Sequence, residues 1–239
     1  MLRTVTAGTL TVQSAYPDPP FDLMRNGVAT GFDVELMRAI CERLGLALRP
    51  LAYKGDNFND IFKELIEGTC DAVISGTTIT PERSAIVKFS QPYLVFNQGI
   101  AVNRRRTPKV TSVADLRGLT AGIQSGNTSD IVARRLLGER AIADIRHYPY
   151  HGIMTALDDL EAGRIGLIIK LFPVISWLVR DRADLAVVMQ QPTHERLGIA
   201  FAPNRSDLCD AVDEAIRQLR TSGKFAELQV NWPGTEASL

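Results

Sequence analysis

The chain has 239 residues, of which 45% are hydrophobic and 23% are charged, a composition typical of a folded globular protein and not of a disordered or fibrous chain. Its 27 Lys and Arg residues balance its 27 Asp and Glu residues, so the formal net charge is zero. A nucleic-acid-binding protein normally carries a basic excess, and we therefore expect no nucleic-acid partner.

The first part of the chain alternates β-rich segments with segments of helical periodicity. Apolar residues recur at helical spacing from Phe32 to Leu44, and Gly45 follows as a typical helix end. The elements predicted here are, in order, strand 9–13, helix 32–44, strand 46–51, helix 58–67 and strand 70–75. This order predicts an α/β fold with parallel strands and helices on the faces of the sheet.

A second unit of the same plan begins near residue 111. Its predicted elements are a helical turn at 113–116, strand 119–124, helix 130–137, strand 144–148, helix 152–162, strand 167–169 and helix 174–180. After it we predict strand 197–202, an amphipathic helix at 207–222 and a frayed tail at 231–239.

The last helix has an apolar stripe that needs a partner, and we expect it to pack on the first unit. The first lobe is then discontinuous. We predict lobe 1 as residues 1–97 together with 197–239 and lobe 2 as residues 98–196, with strands 98–103 and 197–202 crossing between the lobes.

Signatures of catalysis, metal binding and membrane insertion are not found in the sequence. It contains no G-x-S-x-G, H-E-x-x-H, phosphate-binding or dinucleotide-binding motif, so we expect no enzyme and no cofactor. Cys41, Cys70 and Cys209 lack the spacing of a zinc site, and Cys41 and Cys70 are predicted core thiols, although one disulfide stays open. No apolar stretch approaches the roughly 20 residues of a membrane span, and no signal peptide is visible, as in a mature exported protein.

A group suited to a small anion follows the buried strand 70–75. Arg83 lies in the first turn of a short helix after Pro81, and its planar guanidinium suits a carboxylate. The segment 75–78 supplies N–H and hydroxyl groups at the carboxyl end of the strand, where open α/β sheets bind ligands. A surface salt bridge of Arg83 with Glu82 or Asp71 is the structural alternative.

The turn at 125–129 holds the matching place in the second unit. It links a strand to a helix, with Thr128 or Ser129 as the predicted N-cap, and free N–H groups at such a position favour anions. Plain helix capping, without a ligand, explains the same residues.

Three motifs carry a resemblance to a known family. They are Gly-Phe-Asp-Val-Glu-Leu-Met-Arg-Ala-Ile at 31–40, the run at 71–83 with Phe-Ser-Gln-Pro-Tyr at 89–93, and the run at 116–128. Over nearly its whole length, the chain resembles the extracytoplasmic solute-binding proteins of ABC importers, polar amino-acid class (family 3). The resemblance implies a type II periplasmic-binding-protein fold, with two α/β lobes joined by two crossing strands and a ligand cleft between them. It also implies an extracytoplasmic location, a membrane permease as partner and cleft closure on the ligand.

The resemblance also implies a ligand site. Arg83 corresponds to the residue that pairs with a ligand carboxylate, assisted by Thr78 and by backbone N–H groups of Gly76, Asn127 and Thr128. Aromatic rings at Tyr16 and Phe58 correspond to the walls of the pocket, although such rings also serve in ordinary cores. The full predicted set comprises Tyr16, Phe58, Ser75, Gly76, Thr78, Arg83, Gln124, Asn127, Thr128, Lys170 and Leu171.

At one position the sequence departs from the family. Leu171 occupies the place of an Asp that pairs with the ligand's α-ammonium, and Lys170 precedes it. Two hypotheses remain: either Asp18, in a two-residue expansion of the loop 16–21, replaces the missing carboxylate, or the ligand is an amine-free acid whose second acidic group meets Lys170. We favour the amine-free acid, because a buried ammonium without a partner costs several kcal/mol. A Lys170 that simply points to solvent is the third possibility.

Three functions fit the fold that the resemblance implies. The first is a monomeric binding protein that delivers a carboxylate-bearing solute to an importer. The second is a dehydratase-like enzyme, which needs a proton donor where this chain has Pro173 or Val174, neither of which transfers protons. The third is the ligand-binding domain of a membrane receptor.

Overall fold

The computed structural model describes residues 2–235, which form two compact units. Unit 1 contains the described residues up to 54, residues 60–95 and those from 195 onward. Unit 2 contains residues 55–59 and 96–194. Within residues 2–235, every helix is too short or too polar to span a bilayer.

Twelve strands and eight helices are found in the described residues. The strands are β1 (Thr9–Ser14), β2 (Leu23–Arg25), β3 (Val28–Thr30), β4 (Ala47–Ala52), β5 (Ala72–Val73), β6 (Lys88–Phe89), β7 (Leu94–Asn103), β8 (Thr120–Gln124), β9 (Asp144–Tyr148), β10 (Leu167–Leu171), β11 (Leu185–Leu197) and β12 (Ala200–Phe201). The helices are α1 (Phe32–Leu44), α2 (Ile61–Ile66), α3 (Pro81–Ser84), α4 (Ser129–Gly138), α5 (Ile153–Ala162), α6 (Phe172–Val179), α7 (Ser206–Thr221) and α8 (Lys224–Asn231).

Unit 1 is built on a sheet of order β4-β1-β5-β12-β6. Strand β1 runs parallel to β4 and β5, while β12 is antiparallel to β5 and β6. Helix α1 buries its apolar stripe and ends at Gly45, whose left-handed φ of 66° suits a residue without a Cβ. Helices α7 and α8 pack on α1.

Unit 2 has a sheet of order β11-β7-β10-β8-β9. Strand β10 is antiparallel to β7 and parallel to β8, which in turn is parallel to β9. Two apolar clusters line the sheet, one including Val132 and Leu136 of α4, the other including Leu157 of α5 and Ile175 of α6. The sheet is therefore covered by helices on both faces, as its apolar strands require.

Strongly periodic elements have the predicted bounds, and less regular ones do not. The prediction is confirmed for helix α1 and strand β9. The strand predicted at 197–202 is confirmed only in part, because β11 ends at Leu197 and Ala200–Phe201 form the short β12. Strand β11 itself was not predicted, since it carries Pro192 and many half-exposed polar residues.

The C-terminal part also differs from its prediction. Helix α8 was not predicted. Within the predicted frayed tail, Trp232 and Thr235 are buried, and residues 236–239 lie outside the described residues.

Segment 55–59 belongs to unit 2, whereas the predicted boundaries assign it to lobe 1. Two backbone hydrogen bonds hold it there: Tyr150 N–H donates to the Asp56 carbonyl at 2.7 Å, and Phe58 N–H donates to the Ser125 carbonyl at 3.0 Å. These partners are more than 60 residues away along the chain, so local periodicity carries no signal for them.

Candidate ligand-binding site

In unit 1, the segment after β5 is anchored by buried carboxylates. The Ser75 hydroxyl donates to Asp22 Oδ2 at 2.6 Å. Gly76 N–H donates to Asp33 Oδ2 at 2.7 Å, and the Tyr93 hydroxyl donates to the same oxygen at 3.0 Å. The Gly76 N–H thus has a partner within the fold, and the assistance of the Gly76 backbone to a ligand carboxylate stays a prediction.

Burial and mutual repulsion keep these acids prone to protonation. Burial, and then the charge of Asp33, raise the pKa of Asp22 well above its ordinary value. Burial raises the pKa of Asp33 to about 7, against the hydrogen bonds from Gly76 and Tyr93 that lower it. The predicted wall residue Tyr16 is 8% exposed, and burial followed by the charge of Asp22 raises the pKa of its phenol.

Arg83 is fixed by the short helix α3. The Thr80 hydroxyl caps the helix by accepting from Arg83 N–H at 3.2 Å, and Pro81 starts the first turn. Arg83 as a whole is only 6% exposed, and its guanidinium donates from Nη1 to the Thr78 carbonyl at 2.9 Å and lies 5.7 Å from the centre of the Phe62 ring. Arg83 is therefore a buried, oriented cation at the end of β5, and not a surface salt-bridge residue.

Thr78 has a second partner, Glu195, that the sequence does not predict. Its hydroxyl donates to Glu195 Oε2 at 2.5 Å, and Glu195 is 8% exposed. No motif marks Glu195, which stands in a polar run of β11.

In unit 2, Gln124 at the end of β8 and Lys170 at the end of β10 meet, and two aromatic rings lie beside Lys170. Lys170 is 3% exposed, and its Nζ donates to Gln124 Oε1 at 2.6 Å. The same Nζ lies 5.8 Å from the centre of the Tyr150 ring, which packs against Phe58 at 5.2 Å between centroids. Lys170 thus does not point to solvent, and Tyr150 joins the predicted residues.

The turn after β8 and the end of β10 complete this group. Asn127 Nδ2 donates to Gln124 Oε1 at 3.3 Å, and Gln98 Nε2 donates to the Thr128 hydroxyl at 3.3 Å. Thr128 occupies the N-cap position of α4, as predicted, but its side chain makes no capping bond. Leu171 is 8% exposed and links β10 to α6, so this strand end carries no carboxylate at its last residue.

The three cysteines, all in unit 1, are buried free thiols, so the disulfide left open above does not form. In residues 2–235 no group of three or more His, Cys, Asp or Glu side chains is arranged to hold a metal ion.

Comparison with known proteins defines the class of this chain as a solute-binding protein. The family of bacterial extracellular solute-binding proteins, family 3, matches residues 10–235. The chain belongs to this family.

Its relatives bind amino acids. The L-arginine-binding protein of Pseudomonas aeruginosa is 30% identical over 233 residues, covering 91% of this chain and 84% of the relative. The ABC transporter arginine-binding protein 1 of Escherichia coli is 26% identical over 220 residues, covering 90% and 86%. The L-cystine-binding protein TcyJ of Escherichia coli is 26% identical over 236 residues, covering 97% and 85%.

Solved structures agree on the fold. An ancestral arginine-binding protein bound to arginine has a TM-score of 0.85 at 28% identity, with coverage of 94% of this chain and 98% of that one. The ancestral amino-acid-binding protein AncCDT-1, a precursor of cyclohexadienyl dehydratase, has a TM-score of 0.83 at 31% identity, with coverage of 94% and 95%. The chain therefore has the type II periplasmic-binding-protein fold and is an extracytoplasmic solute-binding protein of an ABC importer, not an enzyme.

Proposed function

We propose that this chain captures a small solute through its carboxylate and delivers it to the permease of its importer. The observation that carries the proposal is the buried guanidinium of Arg83, held by the Thr78 carbonyl and by the Phe62 ring. A guanidinium has five N–H donors, so the bond to Thr78 is compatible with a bidentate carboxylate partner. The arginine-, cystine- and histidine-binding relatives support a solute of amino-acid size.

Unit 2 has a buried basic residue of its own. The lysine Lys170 is buried, and its Nζ is directed by Gln124. Such a side chain favours a second acidic or acceptor group on the solute. This supports an acid with two such groups, as in the amine-free hypothesis.

The alternative solute carries an amine, and it is favoured by acidic residues in unit 1. Asp18, the substitute that the sequence suggested, is 7% exposed in the loop that precedes Asp22. A buried carboxylate stabilises a nearby ammonium. Amine-bearing and amine-free acids are therefore the two solute classes to compare.

A binding panel tests the shared part of the proposal. We would measure melting temperature and calorimetric affinity with the twenty standard L-amino acids, L-cystine and their amine-free counterparts. A solute at about 100 times its dissociation constant should add about 2.7 kcal/mol to the stability of the protein.

The matched variants are Arg83→Met and Arg38→Met, the latter at an exposed position of α1. We expect R83M to weaken the best solute by about 100-fold or more, because its carboxylate loses a buried charged partner, and R38M to leave it unchanged. Full affinity in a folded R83M protein would contradict the proposal, as would a panel in which nothing binds.

A further inference from the structure

The side chain of Thr78 presents only hydrogen-bond acceptors to a solute. A threonine hydroxyl has one hydrogen and two lone pairs. The hydrogen is donated to Glu195 Oε2 at 2.5 Å, so the lone pairs are what remain. A carboxylate, which has no hydrogen to give, gains nothing from such a group, whereas an ammonium does.

Glu195 is held in place by backbone pairing on both sides of Thr78. Thr78 and Leu197 form an antiparallel bridge. Ile79 N–H donates to the Arg196 carbonyl at 2.8 Å, and Gly198 N–H donates to the Thr77 carbonyl at 2.9 Å. The carboxylate of Glu195 is thus a fixed part of unit 1 and only 8% exposed.

Thr78 therefore bonds a basic side chain through its backbone and an acidic side chain through its hydroxyl. Its carbonyl accepts from Arg83, and its hydroxyl donates to Glu195. The carboxylate and ammonium of an α-amino acid, joined through one carbon, have the complementary pair of charges. A solute charge that is buried opposite a countercharge is far more favourable than a solute charge buried among apolar groups.

We propose that Glu195 is the specificity-determining residue that supplies the countercharge for the amine of an α-amino acid solute. This inference rests on the proposed capture of a carboxylate by Arg83. It supplies an acidic partner for the amine that Leu171, at the end of β10, does not supply. It also differs from the Asp18 hypothesis, so substitutions separate the two.

The test compares amino acids with the same acids lacking the amine: L-arginine with 5-guanidinopentanoate, L-glutamate with glutarate, and L-alanine with propionate. Affinities are measured by calorimetry for the native protein, Glu195→Gln, Asp18→Asn and Glu82→Gln. Glutamine at 195 keeps the size and an acceptor for the Thr78 hydroxyl but removes the charge. Glu82 is an exposed acid beside Arg83 and serves as the control.

We expect the native protein to prefer the amino acid of its best pair by about 100-fold, the effect of removing one partner of a buried charge pair. E195Q should lose most of that preference while it binds the amine-free acid as before, and E82Q should keep it. Circular dichroism melts confirm that each variant is folded. Retained binding of the amine-free acid separates a lost countercharge from a damaged site.

Three results would overturn the inference. One is a native protein that binds the amine-free acid more tightly. Another is an E195Q protein that weakens both members of a pair equally, and a third is selective loss in D18N instead of E195Q. The first and third leave carboxylate capture by Arg83 intact, whereas a native protein that binds no member of any pair fails the proposed function and the inference together.

Discussion

Both units bury ionisable side chains beside their strand ends, but unit 1 combines acids with the cation Arg83, whereas unit 2 places Lys170 there. In unit 1, buried Asp22 and Asp33 receive hydrogen bonds from Ser75 and Gly76 just after β5. In unit 2, buried Lys170 at the end of β10 donates to the Gln124 amide. The α/β plan thus brings polar residues to the ends of parallel strands in both units but leaves the sign of the charge to the local sequence.

The largest effect that we expect from this contrast is a stability that falls with rising pH because of unit 1. The pKa of Asp33 is raised from 3.8 to about 7 in the folded protein, so the folded state binds this proton more tightly than the unfolded chain does. The favourable contribution is complete below about pH 4 and is lost as pH rises towards 7. Asp33 alone corresponds to about 4 kcal/mol at most, and Asp22 acts in the same direction.

Urea unfolding from pH 4 to 8, with Asp33→Asn as the matched variant, measures this contribution. Asparagine keeps an acceptor oxygen for Gly76 and Tyr93 but does not titrate in this range. The difference between native and D33N stability should therefore change with pH between about 4 and 7, with a further part from Asp22, whose pKa is no longer raised by the charge of Asp33. If the free energies of unfolding of the native protein and of D33N changed with pH in parallel, the raised pKa of folded Asp33 would be contradicted.

A second contrast between the units concerns the glycine after a strand, which is Gly126 after β8 in unit 2 and Gly76 after β5 in unit 1. A Cβ on Gly126 of unit 2 would lie 2.6 Å from Phe58 N and 2.8 Å from Asn59 N, both backbone atoms, at a φ of +81°. A Cβ on Gly76 of unit 1, at a φ of +51°, would meet the Phe21 ring at 3.1 Å. We expect Gly126→Ala to cost about 3 kcal/mol and Gly76→Ala about 1.5 kcal/mol, because backbone cannot yield as a side chain can.

Chemical denaturation of both variants and of Gly118→Ala checks this order. Gly118 has a φ of +85° and open space around its would-be Cβ, so it reports conformational strain alone, about 1 kcal/mol. Equal losses in all three would mean that the packing of segment 55–59 against the turn contributes nothing.

How much the sequence predicts depends on whether the signal is local. Periodicity places helix α1, and the motif around Arg83 identifies the buried cation of unit 1, because both depend on residues close along the chain. Glu195 gave no such signal, since its role depends on the pairing of 195–198 with 77–79. The predicted boundaries place segment 55–59 in lobe 1 instead of unit 2 for the same reason, because its partners Ser125 and Tyr150 are distant in sequence.

The smallest expected effect concerns Lys170 in unit 2. If its Nζ meets a second carboxylate of the solute, Lys170→Met should weaken glutarate by about tenfold relative to propionate, because only glutarate has that second group. Methionine fills a similar apolar volume, and loss of the 2.6 Å bond to Gln124 affects both acids alike. The exposed Lys109 of unit 2 provides the control Lys109→Met, which should leave the ratio unchanged. An unchanged ratio in K170M, measured by calorimetry, would restrict Lys170 to orienting Gln124 and would leave unit 1 alone to discriminate between charged solutes.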